Sequence, residues 1–345
     1  MRKNIFYFLP LIALASCTSS DLTGEQREPV VVGDQEIVLS SGVGEQPVAD
    51  TRAVINNTLP TGGLDVAIIR LDETGTGAAK SFPEWNTVTT ADDVLSAHVD
   101  ATNGQVAFND GATPTPGANP QYYQANGNQT RLQGFYPKDG AVATGVITWT
   151  IDGIKDIMVS NYADGDKVAK FGSTKKLTFE HLLTQIVVKA YAINEASFDN
   201  WGKIKNISIK DQNLTCKYTL ADGAVGVAAF SGKTGTSHLQ IQKKKVDDTS
   251  LSPDYAADNS GLAYDYSNDK TKATLCGYAM FEPAAANSAV LIIETATGGV
   301  IEKTITEELK KGYAYNVTLK FTSTEIVPEV AISKWEKGND VDITL

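Results

Sequence analysis

Side chains able to do chemistry are few and scattered along this chain. Histidine occurs only at positions 98, 181 and 238, without the paired spacing that a zinc site needs. His181 follows Phe179 and precedes Leu182 and Leu183, so it reads as a structural side chain beside a core. Gly232-Lys233-Thr234 has the ending of a phosphate loop. That loop requires glycine five residues earlier, and position 227 is valine. Ala228-Ala229-Phe230 ahead of it reads instead as a strand entering a turn. Asn161, Asp164 and Asp166 are spaced like the opening of a calcium loop, but no glutamate closes it. A solvated turn is the simpler account. No G-x-S-x-G elbow occurs, and no pair of carboxylates can be singled out as acid and base. The expectation is a protein that is not an enzyme, with no cofactor and no metal site, whose work is done by surfaces and strand edges.

One cysteine has a clear chemical role. Arg2 and Lys3 precede an apolar run from Ile5 to Ala15, too short for the roughly 20 residues that cross a bilayer but of signal-peptide length. Leu14-Ala15-Ser16-Cys17 resembles a bacterial lipobox, in which the cysteine becomes the first mature residue and its sulfur carries the lipid. Several acyl chains make a lasting anchor where one does not. Residues 1–17 are therefore read as a lipoprotein signal, and 18–35 as a polar tether from the outer membrane. A plain signal peptide with an incidental cysteine is the alternative. Cys216 shares a face with Leu214 and Tyr218, which points it inward. Two buried free thiols at Cys216 and Cys276 are favoured over a bond between them. The net charge of −11 repels nucleic acid and anionic lipid surfaces.

The elements that must position any site read as strands. In Tyr315-Asn316-Val317-Thr318-Leu319-Lys320-Phe321 every odd residue is apolar and every even one polar, the period of a half-buried strand. Ile204–Lys210 repeats the pattern. Further strands are expected at Glu36–Leu39, Asp65–Leu71, Gln105–Asn109, Arg131–Tyr136, Val146–Ile151, Ile157–Ser160, Leu177–Phe179, Gln185–Ile193, Leu239–Gln242, Ala289–Glu294 and Val300–Thr306. Asn-Gly and Asp-Gly pairs at 103, 110, 126, 139, 152, 164 and 222 mark tight turns. Thr90–His98 reads as a short helix capped by Thr90, and Asn194–Gly202 as another helical turn. The whole is an all-β chain of antiparallel sandwiches, with loops at 111–128 and 246–266 and a domain division at 172/173.

Four local patterns together resemble the fimbrillin family of anaerobic gut and oral bacteria, whose members build type V pili. They are the lipobox at Cys17, Gly134-Phe135-Tyr136-Pro137, the stretch from Leu177 to Gln185, and Gly312-Tyr313-Ala314-Tyr315-Asn316-Val317 followed by Ile332-Ser333-Lys334-Trp335. The resemblance spans most of the mature chain. It implies two transthyretin-like antiparallel β-sandwich domains in tandem, residues 36–172 and 173–345. It also implies assembly by strand exchange, in which a protease cuts after an arginine and frees an N-terminal strand.

Arginine occurs only at 2, 27, 52, 70 and 131. Arg52, followed by Ala53, sits among Gly42, Gly44, Pro47 and Pro60, a loop of the kind that is nicked; Arg70 lies inside a strand. Cutting between Arg52 and Ala53 would release a strand carrying Ile37 and Leu39. The alternative is an ordinary solvated arginine. The donor would be the C-terminal tail, through Val330, Ile332 and Trp335 and the alternating Val341, Ile343 and Leu345. The alternative is a tail that closes its own domain as an edge strand. Implied partners are other copies or related pilins, an Arg-specific processing protease, the outer membrane through lipid, and a host glycan or protein. Only one acid, Asp21, lies just after Cys17, where surface-exported lipoproteins of these bacteria often carry several. A non-polymerising anchor pilin is a rival reading. So is a glycan-binding module with an aromatic platform from Tyr122, Tyr123 or Trp85.

Overall fold

The structure, a computed structural model of the chain, describes residues 35–43, 49–50, 63–89, 93–100, 104–109, 119–172, 174–222, 226–241, 261–333 and 335–336. Its first half contains β1 (Leu39–Val43), β2 (Ala49–Asp50), β3 (Leu64–Asp72), β4 (Val94–Val99), β5 (Gln105–Phe108), β6 (Thr130–Tyr136), β7 (Ala141–Ala143), β8 (Val146–Thr150), β9 (Met158–Gly165) and β10 (Leu177–His181). The rest contains β11 (Thr184–Ala192), α1 (Glu195–Trp201), β12 (Ile204–Ile209), β13 (Thr215–Thr219), β14 (Val227–Ser231), β15 (Leu239–Gln240), β16 (Thr274–Phe281), β17 (Val290–Thr295), β18 (Gly299–Thr304), β19 (Ala314–Phe321), β20 (Ile326–Ser333) and β21 (Trp335–Glu336). The chain is mostly β, with one short α-helix among the described residues.

Seven strands close into a barrel in the order β1-β10-β9-β6-β3-β4-β5. Alternation turns one face of each strand inward. The barrel interior holds Ile37, Leu39, Val66, Ile68, Val99, Phe108, Leu132, Met158 and Phe179. Of the short helix expected at Thr90–His98, residues 90–92 lie outside the described residues, and Val94–His98 is strand instead. Val94–Val99 is β4, with Ile69 facing Val94 on one side and Val106 facing Val99 on the other. Pairing on both edges outweighs the local signal of a capping threonine, because helix propensity is a weak prior.

The remaining strands form three four-stranded sheets and one two-stranded pair. The sheets run β16-β11-β19-β20, β15-β12-β17-β18 and β14-β13-β8-β7. Two features cross the expected 172/173 division. The barrel takes β10 from beyond it, and the third sheet joins β7 and β8 to β13 and β14. A single core links Ile69, Phe135 and Trp149 with Ile186, Leu291 and Phe321. β20 is an edge strand, which is how Pro328 is accommodated opposite Leu319. The helical turn expected at 194–202 is α1. The Asn194 side chain accepts from the Ser197 N–H at 2.8 Å, and Gly202 ends the helix at φ 68°.

Neither Cys216 nor Cys276 is in a disulfide and both are buried, and burial pushes the Cys216 thiol up to about 12. A thiol reagent attacks the thiolate. At pH 8 neither residue of the native chain should therefore react, and both should react after denaturation. An unlipidated Cys17 would be the single fast thiol, so its absence from an uncut chain that still contains residue 17 would report acylation. Two fast thiols in the folded chain would contradict this assignment.

Candidate functional site

The barrel depends on one short strand for closure. β1 lies between β10 and β5. It runs parallel to β10, with Ser41, Gly42 and Val43 facing Leu177, Thr178 and Phe179. It runs antiparallel to β5, with Leu39 facing Val106 and Ser40 facing Gln105. Ahead of it the Ile37 N–H donates to Gln121 O at 2.7 Å, and the Tyr123 N–H donates to Gln35 O at 3.0 Å. Ile37 and Leu39 are buried in the barrel interior, while Val38 between them is exposed. The first strand starts later than the expected Glu36–Leu39, since Glu36 makes only an isolated bridge to Tyr122. Without β1 the β5 and β10 edges would face a hydrophobic slot.

Several expected site residues fall outside the described residues: Cys17, Arg52, Ala53, Val341, Ile343 and Leu345. Val330 and Ile332 lie in β20, facing Val317 and Tyr315 of β19, and Ile332 is 66% exposed. Trp335 opens β21, whose backbone pairs in parallel with β2, Ala49 facing Trp335 and Asp50 facing Glu336. The strand two residues before Arg52 is thus the partner of the strand that begins the tail.

The other two arginines on described strands are held. Arg70 in β3 donates to both Asp72 carboxylate oxygens, to Gln121 Oε1 at 2.9 Å and to Tyr122 O at 3.0 Å. Arg131 in β6 is buried. It donates to Asp164 Oδ1 at 2.7 Å and Oδ2 at 2.9 Å, and also to Asp222. Phe82 and Tyr162 stack on its guanidinium at 4.1 and 4.3 Å, a favourable cation–π arrangement. The Asp164 hydrogen bond, against the opposing effect of burial, raises the Arg131 pKa. Sequence reasoning missed this nest. Asp164, read as part of a turn, is in β9 and is the counter-ion of Arg131. Asp166 instead caps the following turn, accepting from the Val168 and Ala169 N–H groups.

His181 Nδ1 lies 2.6 Å from Asp156 Oδ2, a pairing familiar from hydrolases, but both side chains are 1% exposed, beyond reach of a substrate. Among the described residues no cluster of three metal-binding side chains occurs. The aromatic platform is not formed either. Tyr122 is 42% exposed, but Tyr123 stacks on Phe171 at 5.8 Å and Trp85 donates to Asp222 at 2.8 Å, both buried. Their rings are spent on internal packing.

A family model described as fimbrillin-like matches residues 51–335. A candidate cell adhesion protein from Bacteroides uniformis is 15% identical and superimposes with a TM-score of 0.53, covering 87% of this chain and 98% of its own. Another from Bacteroides ovatus is 18% identical, with a TM-score of 0.52, covering 89% of this chain and 100% of its own. At these identities the likeness is one of fold. No curated protein matches the chain.

Proposed function

This chain belongs to the fimbrillin-like family, and we propose that it is a structural pilus subunit that polymerises when β1 is removed and replaced by a strand from another copy. The observation that carries this reading is the position of β1. It is the link between β5 and β10, and its Leu39, together with Ile37 just ahead of it, plugs the barrel. A strand that completes a sheet through backbone hydrogen bonds and alternate pockets can be exchanged for another of the same pattern.

In this reading the barrel is the first of two tandem transthyretin-like units, and the sheets that follow β10 make up most of the second. The chain is exported as a lipoprotein on Cys17 and held at the outer membrane until an Arg-specific protease cuts after Arg52. Two other arginines, Arg70 and Arg131, sit in strands with their side chains bonded, which supports Arg52 as the accessible site. The cut removes two strands together. β1 leaves the barrel, and Ala49–Asp50 leaves β21, so the acceptor slot and the start of the donor tail are freed at once. Val330, Ile332, Trp335, Val341, Ile343 and Leu345 belong to the segment that swings to the next copy. Adhesion to a host glycan or protein would then be a property of the assembled fibre.

The test is limited digestion with an Arg-specific protease. The product should begin at Ala53 and form a ladder of heat-sensitive multimers on a gel, and Arg52→Ala should do neither. Cleavage that yields only monomers would overturn polymerisation. A chain that is never cut would fit the anchor pilin instead.

A further inference from the structure

Ser41 differs from Leu39, the inward residue two places before it in β1. It is 9% exposed, and its Oγ is enclosed with no hydrogen-bond partner. Its backbone is satisfied, since the Ser41 N–H donates to Gly104 O at 2.7 Å. The approach there is close. Gly104 has φ +69°, and a Cβ on it would stand 2.4 Å from Ser41 O. An enclosed hydroxyl without a partner costs free energy that an aliphatic group at the same place would not. Gly42 next to it adds no side-chain packing and lowers strand propensity.

Residues 341–345 carry an alternation of apolar and polar side chains. Val341-Asp342-Ile343-Thr344-Leu345 can be laid over Ile37-Val38-Leu39-Ser40-Ser41 in the same direction. That direction keeps the track parallel to β10 and antiparallel to β5. At the inward positions Ile37 becomes valine, Leu39 becomes isoleucine and Ser41 becomes leucine. At the outward position of the exposed Val38 stands an aspartate. Valine at the place of Ile37 is one methylene smaller, isoleucine at the place of Leu39 conserves volume, and the gain falls at Ser41, where an aliphatic side chain replaces the unpartnered hydroxyl.

We infer that Ser41 is a built-in weak contact that makes β1 replaceable, and that the tail of a second copy enters in the register that sets Leu345 where Ser41 was. The inference rests on the strand-exchange reading above and adds to it the register and the residue that biases the exchange.

The experiment follows two rates in the mature chain after cleavage at Arg52. One is loss of the N-terminal fragment, read by mass spectrometry. The other is uptake of a fluorescent peptide of residues 335–345, read by anisotropy. Ser41→Ala should slow fragment loss about tenfold, the scale expected from relieving one enclosed, unpartnered hydroxyl. A peptide with Leu345→Ser should bind the wild-type barrel about tenfold more weakly. A wild-type chain that keeps its fragment and takes up no peptide overturns strand exchange, and the inference with it. A wild-type chain that exchanges normally, while Ser41→Ala and the altered peptide behave like their parents, overturns the role of Ser41 alone.

Discussion

Leu39→Asp should open the barrel without any cleavage. Leu39 is 0% exposed and surrounded by the barrel interior. Removing its side chain from that interior forfeits roughly 1.5–3 kcal/mol of apolar burial. An unpaired carboxylate in the same place adds a desolvation cost of several kcal/mol, so the total should exceed about 4 kcal/mol. The short pairings of β1 to β10 and β5 cannot withstand that. The strand should leave while the rest stays folded, because the sheet β16-β11-β19-β20 shares no backbone pairing with β1. Hydrogen exchange checks this. Amides of Gln105–Phe108 and Leu177–His181 should lose protection, and those of Thr184–Ala192 should keep it. Global loss of protection would mean that the barrel and the second core fold as one unit, and no loss would mean that β1 is not needed for closure.

Arg131→Ala should lower stability by about 3 kcal/mol, within the range seen when one partner of a buried ion pair is removed. The guanidinium satisfies both oxygens of Asp164, whose side chain is only 27% exposed, and it fills the space between Phe82 and Tyr162. Asp222 is a different partner. Its side chain is 67% exposed, so water screens its ion pair with Arg131, and Asp222→Ala should cost about 1 kcal/mol, chiefly because the buried Trp85 indole N–H loses its acceptor. The two variants separate a barrel lock from a surface contact. Urea unfolding at unchanged slope checks both. Equal losses would place the weight on Asp222 and on the hairpin between β13 and β14.

Much of the fold was legible where one face of a strand is wet. The alternation of 315–321 is β19, that of 204–210 is β12, and the capped turn at 194–202 is α1, because in each the local pattern and the tertiary environment agree. Two misreadings have physical causes. Val94–Val99 became a strand through neighbours on both edges, which no local window contains. The polar stretch from Asn161 to Gly165 looked like a turn. It extends β9, since Asp164 meets Arg131 on the neighbouring β6 and the Asn161 side chain accepts from the Thr178 N–H at 2.6 Å. The aromatic platform failed for a related reason. Ring exposure is set by partners distant in sequence, Phe171 for Tyr123 and Asp222 for Trp85. The candidate plug was legible through Ile37 and Leu39, but its place between β5 and β10 was not. A strand's two neighbours are fixed by topology, and the buried hydroxyl of Ser41 matters only once those neighbours are known.

The register of exchange can be tested by cross-linking. Leu39 faces Val106 across an antiparallel pair, where opposed Cα atoms lie about 4.5–5.5 Å apart, within disulfide reach. In chains carrying Cys17→Ser, Val106→Cys should bond to Leu39→Cys within one molecule before cleavage at Arg52. In chains kept reduced through cleavage and assembly and oxidised only then, Val106→Cys should bond instead to Ile343→Cys of another molecule. If assembled, cut material still shows only the bond from residue 106 to residue 39, β1 has not left the barrel and the account of how this subunit joins its neighbours is wrong.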